Sequence, residues 1–330
     1  MKLNCLALLL ILSPNILLAQ EADIHAAFQW FKNNPPKSDG INFQERREQS
    51  ALIDRLGHDI PQEIWSDYYW DWNRKGLKRA KSIEIKYPIL QYLRIAEKAA
   101  FDEIRLTKVV NGVKIWQLYN MGIIVKTPDR CFAIDLIPVT IDFTSLLDFA
   151  IMSHSDADHV DNDFIPAMLK AGKPVYAPIF HKHIWIMQLY PKLATTKITG
   201  DTVVQQGAST IFFKMSAQGD IPCLITVVNC GAATENFTLM HGGDSSIPEH
   251  YKTNQAIDFL VVHSGNEYPV VEQANPNLVN LSHNLELGHP QKWRNKYQDC
   301  YDSLNSWLKG LPPEKTVVLT WGESLYFQKN

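Results

Sequence analysis

The chain has 330 residues, 45% of them hydrophobic and 20% charged, with a formal net charge of −3. This composition is globular, which excludes a disordered or low-complexity chain and gives no electrostatic basis for binding nucleic acid or an anionic membrane surface. The length suits one large domain or one domain with an extension. Met1-Lys2 opens the chain, the apolar run from Leu6 to Leu12 follows, and Ala19 precedes a polar stretch. That order reads as a secretory signal peptide over residues 1–19, cleaved after Ala19. The run is too short, and too interrupted by Pro14-Asn15, for stable membrane insertion. The mature protein is therefore expected to be exported, to the periplasm or outside the cell. Four cysteines remain after Cys5 is removed: Cys131, Cys223, Cys230 and Cys300. Cys223 and Cys230 flank the apolar run from Leu224 to Val228, a poor geometry for a disulfide, so the cysteines read mainly as small buried residues.

Residues 20–107 read as a helical extension. Ile24, Ala27, Phe28 and Phe31 recur at helical spacing until Asn33-Asn34-Pro35-Pro36 stops them. A second helix is expected from Gln44 to Leu56, before Gly57. A third begins at Pro61 and carries Ile64, Trp65, Tyr68, Tyr69 and Trp72. Its aromatic residues fit a helix packed between the extension and the main domain. Arg74, Lys75, Lys78, Arg79 and Lys81 read as a solvated helix face. A fourth helix follows Pro88.

Residues 108–330 have a different texture. Short strands are expected at Val113 to Leu118, Gly122 to Thr127 and Cys131 to Leu136, with a Pro128-Asp129 turn between the last two. A buried strand runs from Leu146 to Met152. Helical pieces are expected at Phe164 to Ala171, Ile184 to Leu189 and Asp299 to Leu308. Further strands fall at Ser209 to Met215, Leu224 to Val228, Phe237 to Met240, Phe259 to Val262 and Thr316 to Thr320.

The strand ending at Met152 runs into Ser153-His154-Ser155-Asp156-Ala157-Asp158-His159-Val160-Asp161. Serine and aspartate also favour turns, and Asp161-Asn162-Asp163 offers caps for a helix starting at Phe164. Four imidazoles and carboxylates in six residues nevertheless suit a metal ion, since both groups ligate zinc and iron.

The segment His154-Ser155-Asp156-Ala157-Asp158-His159 resembles the His-x-His-x-Asp-His signature of the metallo-β-lactamase fold superfamily, with Asp156 in place of the second histidine. The resemblance covers roughly the last two-thirds of the chain, by order of motifs. It implies a four-layer αββα sandwich, here with an N-terminal helical extension, and a metal site at one edge. By the family's pattern His154, Asp158 and His159 are ligands. Met240-His241-Gly242-Gly243-Asp244 resembles the Gly-Asp motif that supplies a carboxylate to both metals, which nominates Asp244. Two other positions depart from the pattern. Gln218 stands at the third-histidine place and Thr320 at the late-histidine place. The segment from Leu281 to Pro290 is the best reserve, through His283 and His289. His263 and Glu323 are further candidates, and His181-Lys182-His183 is a weaker one.

The expected metal set is therefore His154, Asp156, Asp158, His159, Asp244, His283 and His289. The expected cofactor is zinc, as one or two ions. Asp156 gives a more oxygen-rich site, flavodiiron relatives carry Glu there, and iron or manganese is admitted. The resemblance implies a metal-dependent hydrolase of a small-molecule ester, lactone, amide or phosphodiester. Its nucleophile is a metal-bound hydroxide and Asp158 is the catalytic carboxylate. Two alternatives stay open: a catalytically inactive binding or scaffold protein on the same fold, and an iron-dependent redox protein. No nucleic-acid partner is expected.

Overall fold

The computed structural model describes residues 14–37, 42–75, 77–137, 140–178, 197–265, 267–306 and 313–328. Residues 1–13, His181-Lys182-His183 and the helical piece expected from Ile184 to Leu189 lie outside the described residues. So do the side chains of Trp70, Trp72, Arg74, Lys75, Lys78 and Arg79. Among the described residues no helix is long and apolar enough to cross a membrane.

Five helices come first: α1 (Pro14–Asn33), α2 (Phe43–Gly57), α3 (Gln62–Lys75), α4 (Leu77–Lys86) and α5 (Pro88–Leu106). Their boundaries follow local chemistry. Asn34, Pro35 and Pro36 end α1, and Pro88 starts α5 in the first turn, where its missing N–H costs nothing.

Among the described residues, fourteen strands then form two seven-stranded sheets. The first contains β1 (Val113–Gln117), β2 (Ile123–Lys126), β3 (Cys131–Ile134), β4 (Phe149–Ile151), β5 (Val175–Pro178), β6 (Lys197–Ile198) and β14 (Ser324–Phe327), in the order β14-β1-β2-β3-β4-β5-β6. The second contains β7 (Thr202–Gln206), β8 (Ser209–Gln218), β9 (Ile221–Asn229), β10 (Thr238–His241), β11 (Phe259–His263), β12 (Leu278–Ser282) and β13 (Thr316–Val317), in the order β13-β12-β11-β10-β9-β8-β7. β3 to β6 run parallel, as do β10 to β13; the outer strands are antiparallel. Three more helices are described: α6 (Phe164–Lys170), α7 (Glu267–Ala274) and α8 (Tyr297–Ser306).

The layers follow from the two-residue period of the strands. Val113, Ile115, Ile123, Phe132, Ile134, Phe149 and Ile151 of the first sheet meet Leu224, Val228, Leu239, Phe259 and Val261 of the second in one inner core. The alternate residues point outward. Trp116, Ile124, Ala133 and Ala150 pack under α6 and the C-terminal part of α5. Ile225, Val227, Met240, Leu260, Val262, Val279 and Leu281 pack under residues of α1 to α5, α7 and α8. The central strands of both sheets are thus buried on both faces, which is why they read as near-continuous apolar runs, while the edge strands β7 and β14 stay partly exposed. The architecture is the four-layer αββα sandwich with an N-terminal helical segment. That segment forms much of one outer layer and shares its core with the second sheet.

A buried ion pair fastens this layer. Arg46 of α2 donates from Nη1 to Glu323 Oε1 (2.9 Å) and from Nη2 to Glu323 Oε2 (2.7 Å), and both side chains are almost wholly buried. Burial opposes the Arg46 charge, but Glu323 raises its pKa above the ordinary arginine value. Glu323 also accepts from the Thr320 amide and hydroxyl. Removing the guanidinium would leave a buried carboxylate without its counterion, which typically costs about 3–5 kcal/mol. We expect Arg46→Met to lose about that much stability in chemical denaturation. A loss below about 1 kcal/mol, the range of exposed pairs, would show that the pair does not fasten the layer.

Candidate metal centre

Parallel strands end together at one edge of the sandwich, and the loops after them carry the polar groups. Such carboxyl ends are where open sheets place ligand sites. Asp135 follows β3, Ser153 to His159 follow β4, Asp244 follows β10 and His283 follows β12.

Asp135 is the organising group. It is 1% exposed and has a positive φ of 50°. Its Oδ1 accepts from the Ser153 amide (2.6 Å), and its Oδ2 accepts from the Ser153 hydroxyl (2.6 Å). His159 Nδ1 lies 2.9 Å from the same Oδ2. A carboxylate only accepts, so His159 Nδ1 carries a proton, and in the neutral ring Nε2 is bare. Ser153 Oγ, having given its proton to Asp135, accepts from His154 Nδ1 at 2.8 Å. His154 Nε2 is bare for the same reason. One buried carboxylate therefore fixes both tautomers, as the outer partners of metal-bound histidines do.

The two bare nitrogens face carboxylates. His159 Nε2 is 3.3 Å from Asp244 Oδ1 and 3.5 Å from Asp158 Oδ2. His154 Nε2 is 3.6 Å from Asp244 Oδ2. His283 Nε2 is 3.0 Å from Asp158 Oδ2 and 3.7 Å from Asp244 Oδ2. One atom from each of Asp158, His159, Asp244 and His283 lies within 4.8 Å of the others. His154 Nε2, His159 Nε2 and Asp244 Oδ1 are buried and lack any hydrogen-bond partner. Buried polar atoms are rarely left so, and three gathered about the Asp244 carboxylate fit a cation site.

The backbone is arranged for this. Gly243 precedes Asp244 with φ of +52°, and a Cβ there would lie 2.7 Å from Ser153 Cβ. Asn120 and His283 also adopt positive φ, of 55° and 67°. Left-handed non-glycine residues are uncommon and gather at functional sites. Asn120 Nδ2 donates to the Asp158 carbonyl (2.9 Å) and to Asp158 Oδ2 (3.2 Å), which holds that side chain in place.

Electrostatics agree. Burial opposes ionisation of Asp158 and Asp244, yet His159 and the neighbouring histidines hold both well below the usual carboxylate range. Burial likewise opposes charge on His159, but Asp244, Asp158 and Asp135 raise its pKa well above the ordinary value. His283 is raised by Asp244 and Asp158 against the same burial. The carboxylates thus favour a second proton on His159 and His283, which a bound cation would displace. His154, buried and beside His159, is lowered.

The sequence expectations divide as follows. His154, Asp158, His159, Asp244 and His283 are brought together. Asp156 lies at the rim: its side chain is 28% exposed, with Oδ2 3.7 Å from His154 Nε2. His289 reaches the outer side of Asp158, with Nε2 3.6 Å from Oδ2. Gln218 ends β8 in a hairpin with β9 rather than lying in a loop, and its Nε2 donates to Asp244 Oδ2 (3.1 Å). Thr320 bonds Glu323, and the histidine that the fold brings against Asp158 from this late part of the chain is His283. Glu323 pairs with Arg46 and is no ligand. His263 stacks on His283 at 4.1 Å between ring centroids, and burial lowers its pKa to about 3. His241 is used up, donating from Nε2 to the Met121 carbonyl and accepting the Gly243 amide at Nδ1. Asp161 caps α6 by accepting from the Asp163 and Phe164 amides. The four described cysteines are buried thiols, and burial raises the pKa of Cys131, Cys223 and Cys230. Asp135 and Asn120 were absent from the expectations, whereas Glu286 lies in the reserve segment from Leu281 to Pro290. The only sequence signal for Asp135 is its place at the end of an apolar strand.

No protein-family model and no curated protein matches the chain. Solved structures do. The metallo-β-lactamase fold protein YhfI from Bacillus subtilis is 14% identical, over 66% of this chain and 100% of that one, with a TM-score of 0.49. Igni18, a metallo hydrolase from Ignicoccus hospitalis, is 16% identical, over 66% of this chain and 99% of that one, with a TM-score of 0.48. CmlA, a diiron β-hydroxylase from Streptomyces venezuelae, is 11% identical, over 68% of this chain and 55% of that one, with a TM-score of 0.47. The fold of this chain rests on its own strand order and layers.

Two measurements follow from the geometry. Asp135→Asn keeps the shape but removes the obligate acceptor, so metal affinity should fall by about 10–100-fold. Equilibrium dialysis that finds it unchanged would remove Asp135 from its orienting role. His159 and His283 have raised pKa values and must lose protons to ligate through Nε2. Metal binding should therefore release protons, and affinity should rise as pH climbs through those raised values. Titration calorimetry in buffers of different ionisation enthalpy reads that release directly; equal heats in all buffers would contradict it.

Proposed function

We propose that this αββα protein is an exported metal-dependent hydrolase acting on a small-molecule ester, lactone, amide or phosphodiester. The observation that supports it most is the convergence of bare, buried His154 Nε2, His159 Nε2 and Asp244 Oδ1 beside Asp158. Asp158, His159, Asp244 and His283 would hold one cation, with His154 and Asp156 beside Asp244 as the donors for a second. Such a cation lowers the pKa of a water toward neutrality and polarises a carbonyl or phosphoryl oxygen. Zinc fits the imidazoles, and the carboxylate share admits manganese or iron.

The chain's own residues supply the rest. Asp158 stays ionised and Asn120 holds its Oδ2 in place, so it orients the attacking water as a hydrogen-bond acceptor. His289 is 33% exposed and marks the open side of the site, where a substrate enters. Tyr119, Trp65 and Leu287 are buried and wall the inner side against water, which strengthens charge interactions within. A second reading, an iron-dependent redox protein, draws support from the carboxylates Asp156, Asp158, Asp244 and Glu286 around this one site.

The test joins metal content with activity. Mature protein purified without added metal should contain zinc or manganese and hydrolyse at least one ester, lactone, amide or phosphodiester in a chromogenic panel. Asp158→Ala with His159→Ala should lose the metal and the hydrolysis while keeping the wild-type circular dichroism spectrum. Metal retained by that folded variant would refute the site, and bound iron with no hydrolysis would favour the redox reading.

A further inference from the structure

The loop after β12 carries two groups that the signature's ligand set leaves unused. Glu286 is 1% exposed. Its Oε1 accepts from the Tyr119 hydroxyl (2.8 Å) and the Gly288 amide (2.8 Å), while Oε2 is buried without a partner. His289 faces two carboxylates at once. Its Nε2 is 3.6 Å from Asp158 Oδ2, its Nδ1 is 3.7 Å from Glu286 Oε2, and that Nδ1 also lacks a partner. One donor atom from each of Asp158, Glu286 and His289 lies within 4.8 Å of the others.

The loop is built to stay in this position. Arg294 donates from Nε to the Glu286 carbonyl (3.1 Å) and from Nη2 to the Leu287 carbonyl (2.7 Å). Its Nη1 reaches the Gly57, His58 and Ile60 carbonyls in the turn between α2 and α3. Trp65 of α3 stacks on Tyr119, with ring centroids 4.5 Å apart, and the Tyr119 hydroxyl accepts the Leu287 amide. A Cβ on Gly288 would lie 2.8 Å from Glu286 Oε1 and 3.0 Å from Trp65 Cδ1. The glycine thus leaves room for the carboxylate beside the tryptophan. Several hydrogen bonds and a stack from the helical layer hold in place a carboxylate that has one oxygen bonded and one free. A buried oxygen with no partner is costly unless something charged meets it.

We infer that Asp158, Glu286 and His289 form a further divalent-cation position, sharing Asp158 with the Asp158–His159–Asp244–His283 group. This rests on the metal-dependent reading of that group. Two carboxylates and one imidazole suit manganese, iron or zinc. His289 is 33% exposed, so water completes the coordination and the ion exchanges more readily than one held among buried ligands. The position gives the N-terminal helical layer a role: through Arg294, Trp65 and Tyr119 it sets the loop that supplies two of the three donors.

Manganese titration of the metal-stripped full chain tests this, with free Mn²⁺ read by electron paramagnetic resonance. Wild type should bind one equivalent more than Glu286→Gln with His289→Ala, and the missing equivalent should be the weaker class. His289→Ala alone, a change at a partly exposed position, should show the same loss if the double variant folds poorly. Equal stoichiometry and affinity in wild type and a folded variant overturn the inference and leave the main site standing. A wild type that binds no manganese, zinc or iron overturns both.

Discussion

The carboxylate of Asp135 is the constraint on which the site depends. It sits wholly buried at the end of β3, and it fixes Ser153 through two hydrogen bonds and His159 through a third. Ser153 passes the constraint to His154. One charge therefore decides which ring nitrogen of each histidine is bare, and both bare nitrogens point at Asp158 or Asp244. Burying a carboxylate is costly; burial opposes its ionisation, and His159 is the main group that keeps it charged. The parallel pairing of β3 with β4 brings Asp135 beside Ser153, so sheet geometry and site chemistry are one arrangement.

The second sheet supplies the opposite wall. Its parallel strands β10 and β12 end at Asp244 and His283, and the loop beyond β12 is tied to the helical layer by Arg294. That layer is itself fastened by the Arg46–Glu323 pair. The N-terminal helices are thus an outer layer of the sandwich whose tyrosine-stacking tryptophan reaches the edge of the site.

Much of this was legible in the chain. α1, α2, α3 and α5 were readable because Pro35-Pro36, Gly57 and Pro88 punctuate regular apolar periodicity, whereas α4 was not foreseen as a helix of its own. The strands buried on both faces were readable as apolar runs. The ligand-rich segment His154 to His159 was readable because its donors are adjacent in sequence. What was not readable depends on tertiary contact. Asp135 looks like any residue ending a strand until Ser153 and His159 are seen around it. Thr320 occupied the expected place of a late histidine by motif order, and only the fold shows that His283, at the end of β12, lies beside Asp158 and Asp244. Glu323 seemed a spare ligand, and only the fold shows that Arg46, 277 positions away, claims it. Short strands such as β5, β6 and β14 carried too little pattern to separate from loop.

The chemistry reduces to one claim: a cation belongs among Asp158, His159, Asp244 and His283, and Asp135 orients the histidine that faces it. Anomalous diffraction from crystals of protein purified without added metal tests this most directly. The account predicts a peak within bonding distance of His159 Nε2 and an Asp244 oxygen, with Asp158 and His283 completing its surroundings. Well-diffracting crystals with no anomalous peak at that position, and His159 Nε2 bonded instead to an ordered water or a side chain, would contradict it.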